Sequence, residues 1–144
     1  MTALVETYRG AVYPWHCDHM RHMNVMWYVG KFDEATWDLF RRLGLTPSEL
    51  RRSGRGMAAV EQRIAYEREL HEGDVVVVRS GVVEVRDKAV RFVHQMYNAE
   101  TGALSAVTAL TAVHLDTAAR RAIPFPPSVA EAAKALAIAF EEPW

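Results

Sequence analysis

The densest chemistry in the sequence lies between Tyr13 and Asn24, which reads Tyr-Pro-Trp-His-Cys-Asp-His-Met-Arg-His-Met-Asn. Three of the six histidines, the single cysteine Cys17 and the carboxylate Asp18 fall inside it. Its end coincides with the expected start of a helix. A helix start presents unpaired N–H groups and the positive end of the helix dipole. Such a place polarises a carbonyl or holds a developing oxyanion. A carboxylate a few residues upstream, Asp18, would reach the same carbonyl carbon, as a nucleophile or as a general base for water. The plainer reading has Asp18 bonding only the amides of its loop, and the residues alone leave both open.

Other chemistries are open to the residues of this loop. His16, Cys17, His19 and His22 all have ligand atoms, but their spacing matches no common zinc pattern, so no metal is expected. Cys17 has histidines near it that would lower a thiol pKa. Cys17 and Asp18 are adjacent, however, and in an extended loop point opposite ways. Asp18 is the preferred group, with Cys17 as a small packing residue. His22 is expected to orient the loop through a backbone bond, or else to move protons. Asn24 serves as a helix N-cap, as a contact to substrate or water, or as both.

The elements that must hold this loop follow from periodicity. Leu4 to Val12 alternates loosely and suits a first strand, stopped by Pro14. From Val25 the apolar positions Val25, Tyr28, Val29, Phe32, Ala35, Leu39, Phe40 and Leu43 form one helical stripe, with Lys31, Asp33, Glu34, Asp38, Arg41 and Arg42 mostly off it. Gly44 ends this helix. Gly30 inside it suggests close approach of a sheet. Thr46-Pro47-Ser48-Glu49 is a capping box for a short helix to about Ser53. Strands are then expected over 57–69, 75–85, 89–97 and 103–115, joined by short turns, which makes the sheet antiparallel. The 116–127 stretch reads as a loop, and Ser128 as the cap of an Ala-rich helix to about Phe140. The expected class is α+β: about five antiparallel strands wrapped around one long central helix, with a short second helix and a C-terminal helix. Residues 1–144 form one domain at this length.

Half of the residues are apolar, 24% are charged, and the net charge is −1. That balance gives no field for nucleic acid or an acidic membrane. One cysteine excludes an intrachain disulfide and fits a reducing cytoplasm. No signal-peptide pattern opens the chain, and no apolar run spans a bilayer. A curved sheet with edges to cover favours self-association.

The order Asp-x-x-x-His-x-Asn-x-x-x-Tyr, present as Asp18, His22, Asn24 and Tyr28, resembles the 4-hydroxybenzoyl-CoA thioesterase-like hotdog proteins. Phe32-Asp33-Glu34-Ala35, Leu43-Gly44-Leu45, Ile64-Ala65-Tyr66-Glu67-Arg68, Gly73-Asp74 and Ile123-Pro124-Phe125-Pro126 extend the resemblance over nearly the whole chain. It implies a hotdog fold, a homodimer or homotetramer with sites at the subunit interface, and hydrolysis of an acyl-CoA thioester without metal or organic cofactor. Asp18 matches the catalytic position. Glu34, farther along the helix that follows, is either a second carboxylate near it or a solvated or paired helix residue, the latter slightly favoured. The family's first Asp is His16 here, the Gly before His is Arg21, and the second Asn is Val25. Arg21 would bind an anionic acyl group or a CoA phosphate, or face solvent. Val25 and Tyr28 are candidates to line the substrate, with a core or interface place the favoured reading for Tyr28. Arg86, Lys88 and Arg91 around one hairpin, with Arg120 and Arg121 after the last strand, are the candidates for CoA phosphates. A hotdog protein that binds acyl-CoA without turning it over is the alternative.

Overall fold

The computed structural model describes residues 3–144. Strand β1 (Val5–Ala11) leads through a 3-10 turn at Pro14–His16 into α1 (Val25–Arg42). A short α2 (Pro47–Ser53) follows, then β2 (Arg55–Tyr66), β3 (Val75–Val85), β4 (Ala89–Asn98) and β5 (Leu104–Asp116). A two-residue β6 (Arg121–Ala122) and α3 (Pro127–Ala135) complete it. The sheet is antiparallel in the order β1-β3-β4-β5-β2, with β6 on β5. This is the hotdog arrangement, a curled sheet holding α1.

The helix forms where its stripe and caps predict. Asn24 caps it, and Gly44 leaves it at φ +84°. Tyr28, Phe32, Ala35, Leu39, Phe40 and Leu43 are buried against the sheet. Three expectations along the helix need correction. Val25 and Val29 stand exposed, Val25 beside the Tyr66 end of β2. Lys31 is buried, because it shares the 28–32–35 face. No sheet presses on Gly30; the nearest neighbour of an added β-carbon would be the Trp27 ring at 3.7 Å. Farther on, β2 ends at Tyr66 rather than at residue 69, the 116–127 loop contains β6, and α3 stops at Ala135.

A directed chain of hydrogen bonds ties α1 to the sheet. Thr36 Oγ1 donates to the Phe32 carbonyl (3.0 Å), so His94 Nε2 must donate to Thr36 Oγ1 (2.8 Å). His94 Nδ1 then accepts from Ser80 Oγ, whose own partner is Thr7 Oγ1 at 2.7 Å. All four side chains are buried, and polar groups at that depth are tolerated because each has a partner.

Gly81, Val93, Ala109 and Arg63 are cross-strand neighbours on the sheet face turned away from α1. The C-terminal tail lies over them. Val82 N–H donates to the Leu136 carbonyl and Ile138 N–H to the Val82 carbonyl, both at 2.9 Å. Arg91 pairs with Glu142, and Arg63 lies over the Trp144 ring. A β-carbon at Gly81 would fall 2.8 Å from Ile138, so this crossing requires glycine.

Candidate active site

The loop between β1 and α1 closes on itself. Asp18 N–H donates to the His22 carbonyl (3.3 Å), Arg21 N–H donates to the Asp18 carbonyl (2.9 Å), and Cys17 bridges to Met23. Two bonds fasten its end: Met23 N–H to the Leu70 carbonyl (2.7 Å) and Asn24 N–H to the His16 carbonyl (2.9 Å). The tight return puts Arg21 at φ +67°, a region that favours glycine. Its side chain is exposed and has no partner among the described residues. Cys17 packs against the core cluster around Met23 and Tyr28.

Asp18 is held by both oxygens. Oδ1 accepts from Met20 N–H at 2.9 Å and Oδ2 from Asn24 Nδ2 at 2.7 Å. The Asn24 bond, then the Met20 bond, keep its carboxyl below the usual carboxylate range. Asn24 Oδ1 meanwhile accepts from Met26 N–H at 2.9 Å, so one side-chain amide caps the helix and holds the acid. The next amide, Val25 N–H, has no acceptor among the described residues. It is an oriented donor at the positive end of α1, one residue past the group that positions Asp18.

Beside this pair lies a cleft of about 210 Å³ lined by His22, Val25, Tyr28, Tyr66, Arg68 and Glu69, among others. His22 Nδ1 is 3.5 Å from the Met23 carbonyl and Nε2 is 3.8 Å from the Glu69 carboxylate. The Glu69 contact was not anticipated. The Tyr28 hydroxyl donates to the Arg68 carbonyl at 3.4 Å, its ring stands edge-on to Tyr66, and burial pushes its pKa up to about 12. It remains a neutral donor at any working pH. Tyr66 and Glu69 were hidden in the sequence because the strand pattern says nothing of which end of β2 meets the helix start.

The other candidates lie elsewhere. Glu34 is ten residues beyond the cap, ~15 Å along the helix axis, and lines a separate cleft with Lys31. It is not beside Asp18 in the chain. Arg86, Lys88 and Arg91 sit around the β3–β4 hairpin, with Arg121 in β6 and Arg120 just before it, all at the opposite end of the sheet from Asp18. The length of β5 separates the two ends by ~35–40 Å. Arg86 pairs with Glu84 (3.0 Å) and Arg91 with Glu142, whereas Lys88 has no ion pair among the described residues. Within one chain these cations and Asp18 do not meet. No group of three or more His, Cys, Asp or Glu side chains among the described residues is placed to hold a metal ion.

The model of the thioesterase-like superfamily matches residues 12–133, which takes in the loop, the whole sheet after β1, and nearly all of α3. The chain belongs to that superfamily. A betainyl-CoA thioesterase from Pseudomonas aeruginosa is 27% identical over 137 residues, 95% of this chain and 86% of that protein. Among solved structures, a Staphylococcus aureus protein in complex with CoA is similar at TM-score 0.86 and 19% identity, covering 99% of this chain and 94% of that one. A 1,4-dihydroxy-2-naphthoyl-CoA thioesterase from Synechocystis is similar at TM-score 0.81 and 18% identity, covering 93% and 98%. For this member of the superfamily, acyl-CoA thioesterase is the activity class supported. No helix among the described residues is long and apolar enough to cross a membrane.

Proposed function

We propose that residues 1–144 act as one cytoplasmic hotdog domain that hydrolyses an acyl-CoA thioester to free acid and CoA. The observation that carries this is the Asp18 carboxylate, fixed by Asn24 Nδ2 and Met20 N–H beside the unpartnered Val25 N–H. In this reading the thioester oxygen accepts from Val25 N–H, and negative charge grows there as the carbonyl carbon is attacked. Asp18 either attacks that carbon or takes a proton from the water that does. The tetrahedral centre collapses, the carbon–sulfur bond breaks, and CoA leaves as thiolate; if Asp18 made the attack, the mixed anhydride left on it is then hydrolysed by water to the free acid and the carboxylate. An aspartate held ionised suits both routes. His22 and Tyr28 wall the acyl side, with Arg21 at the rim.

The phosphate of CoA would be met from a second subunit. Among the described residues β2 pairs only with β5, and Val60 on it is 62% exposed. A homodimer, alone or within a homotetramer, that joins two β2 edges antiparallel would carry the partner's far-end cations to the Asp18 end. Such an interface would also cover Val25 and Val29.

The test is thiol release from a panel of acyl-CoAs by wild type and Asp18→Asn. A loss of ~10²–10⁴-fold in a folded variant supports the assignment. A variant that keeps most of its rate removes Asp18 from the chemistry.

A further inference from the structure

A second cleft opens on the other side of α1, between that helix, β1 and the Tyr13–His16 turn, with a volume of about 500 Å³. Lys31 forms part of its floor. The side chain is 97% buried by its residue exposure of 3%, yet no carboxylate lies within ion-pairing distance of it among the described residues. Nζ donates to the Tyr8 hydroxyl (3.0 Å) and to the Ala11 carbonyl (3.2 Å). An ammonium has three donors, and the third has no hydrogen-bond acceptor among the described residues. A buried cation without a counter-charge is costly unless something supplies one.

Two further donors face the same space unpaired. The Tyr8 hydroxyl accepts from Lys31, which leaves its own proton free. His16 Nδ1 accepts from Tyr13 N–H at 2.9 Å. Burial and then Lys31 keep His16 neutral, so its proton sits on Nε2, for which no acceptor is present among the described residues. The walls are flat and apolar. Trp27 lies against His16 at 4.6 Å, and Tyr13 stacks on Trp15 at 4.6 Å with planes 3° apart, although Trp15 remains 65% exposed. Strand β1 is shaped for this arrangement. A β-carbon at Gly10 would fall 2.4 Å from the Tyr8 hydroxyl oxygen, so glycine lets the Tyr8 ring lie along the strand and meet Lys31. One acid, Glu34, also lines the cleft. It is exposed and unpaired with Lys31, so water screens it.

We propose that this cleft binds a small organic carboxylate with a planar or apolar body, its charge on Lys31 and its body against Trp15 and Trp27. Three unpaired donors, one of them on the buried cation, line the same cleft, and an aromatic wall stands beside them. A cationic ligand would meet Lys31 instead, so the selectivity is opposite in charge to a betainyl group. The binding site is independent of the hydrolase reading. The carboxylate is carried either at the far end of an acyl group or on a free acid.

The experiment is titration of the full chain with benzoate, benzamide and phenyltrimethylammonium, read by tryptophan fluorescence and by thermal midpoint. Benzoate should saturate, raise the midpoint, and bind at least tenfold more tightly than either other probe. Lys31→Met and Tyr8→Phe should each weaken benzoate at least tenfold. The tyrosine variant keeps the test alive should the lysine variant fail to fold. Equal binding of benzoate and benzamide, tighter binding of phenyltrimethylammonium, or unchanged benzoate binding in the folded variants would overturn the proposal. Competition between benzoate and an acyl-CoA in thiol release assigns the carboxylate to the acyl group. Saturable binding without competition assigns it to a free acid. Neither binding readout depends on Asp18, so loss of the hydrolase reading leaves this one standing or falling by itself.

Discussion

The side-chain amide of Asn24 is shared between the first turn of α1 and the carboxylate of Asp18. Its oxygen takes Met26 N–H and its nitrogen gives a 2.7 Å bond to Asp18 Oδ2. Helix start and acid are therefore positioned by one rigid group. Asn24→Asp separates the two duties. Aspartate caps as well as asparagine, but it removes the donor and puts a like charge on Asp18. The rate of thiol release should fall at least tenfold while the far-ultraviolet spectrum stays native. An unchanged rate would show that the amide only caps.

The same bond sets a pH dependence. Asp18 is held below its ordinary range, first by Asn24 and then by Met20 N–H. Its ionised form thus persists as pH falls past the ordinary aspartate value of about 4. The acid limb of kcat/KM should lie below that value in wild type. In Asn24→Asp, where the donor is gone and a negative neighbour added, the limb should move up. A limb that stays in place would mean another group controls it.

Arg21 holds φ +67° with no side-chain bond to compensate. A left-handed L-residue costs ~1–2 kcal/mol, and glycine gives back part of that through unfolded-chain entropy. Arg21→Gly should therefore stabilise by about 0.5–1 kcal/mol, a rise of ~2–4 °C in Tm. Scanning calorimetry checks it. A fall in Tm would show that the guanidinium contributes more than the strain removes.

His94 is fully buried, and that burial pulls its pKa down to about 3. The unfolded chain takes up a proton near pH 6.5, which the folded one refuses until far lower. Unfolded molecules bind more protons in that window, so stability is complete above pH 6.5 and falls as pH drops toward 3. Denaturant melts between pH 6 and 4 should lose ~1.4 kcal/mol per pH unit from this group. His94→Gln should remove that share of the slope whatever its absolute stability. An equal slope in both proteins would place the titration elsewhere.

Cys17 packs on the core side of the loop, next to an Asp18 that faces the helix start. Cys17→Ser should keep thiol release within about threefold of wild type. A loss comparable to that of Asp18→Asn would make the thiol the nucleophile.

The order of elements and the Asn24 cap were legible because each rests on local signals: a 3.6-residue stripe, a capping residue, alternation between short turns. The hotdog class was what the family resemblance implied. The neighbourhood of the site was less so. Lys31 reads as a surface charge by type, and only its three-residue step from Tyr28 hints at burial. Glu34 shares a helix with the site but not a location, since ten residues of helix are longer than a hydrogen bond can span. The basic residues at the β3–β4 hairpin were plausible phosphate ligands by chemistry. Their distance from Asp18 is set by strand register, which the sequence does not display. Tyr66 and Glu69 became visible only once the end of β2 was placed beside α1.

The C-terminal tail over Gly81, Arg91 and Arg63 has a consequence for assembly. Two sheets stack back to back at about 10 Å, with their side chains interdigitated. Here that gap is already filled by the chain's own Leu136–Ile138 and Trp144 segments. A neighbour seeking the same face would have to peel the tail away first. Among the described residues the sheet thus keeps its lateral edges, β1 and β2, without a strand partner, while its back is sealed, and shortening the tail before Leu136 would unseal it.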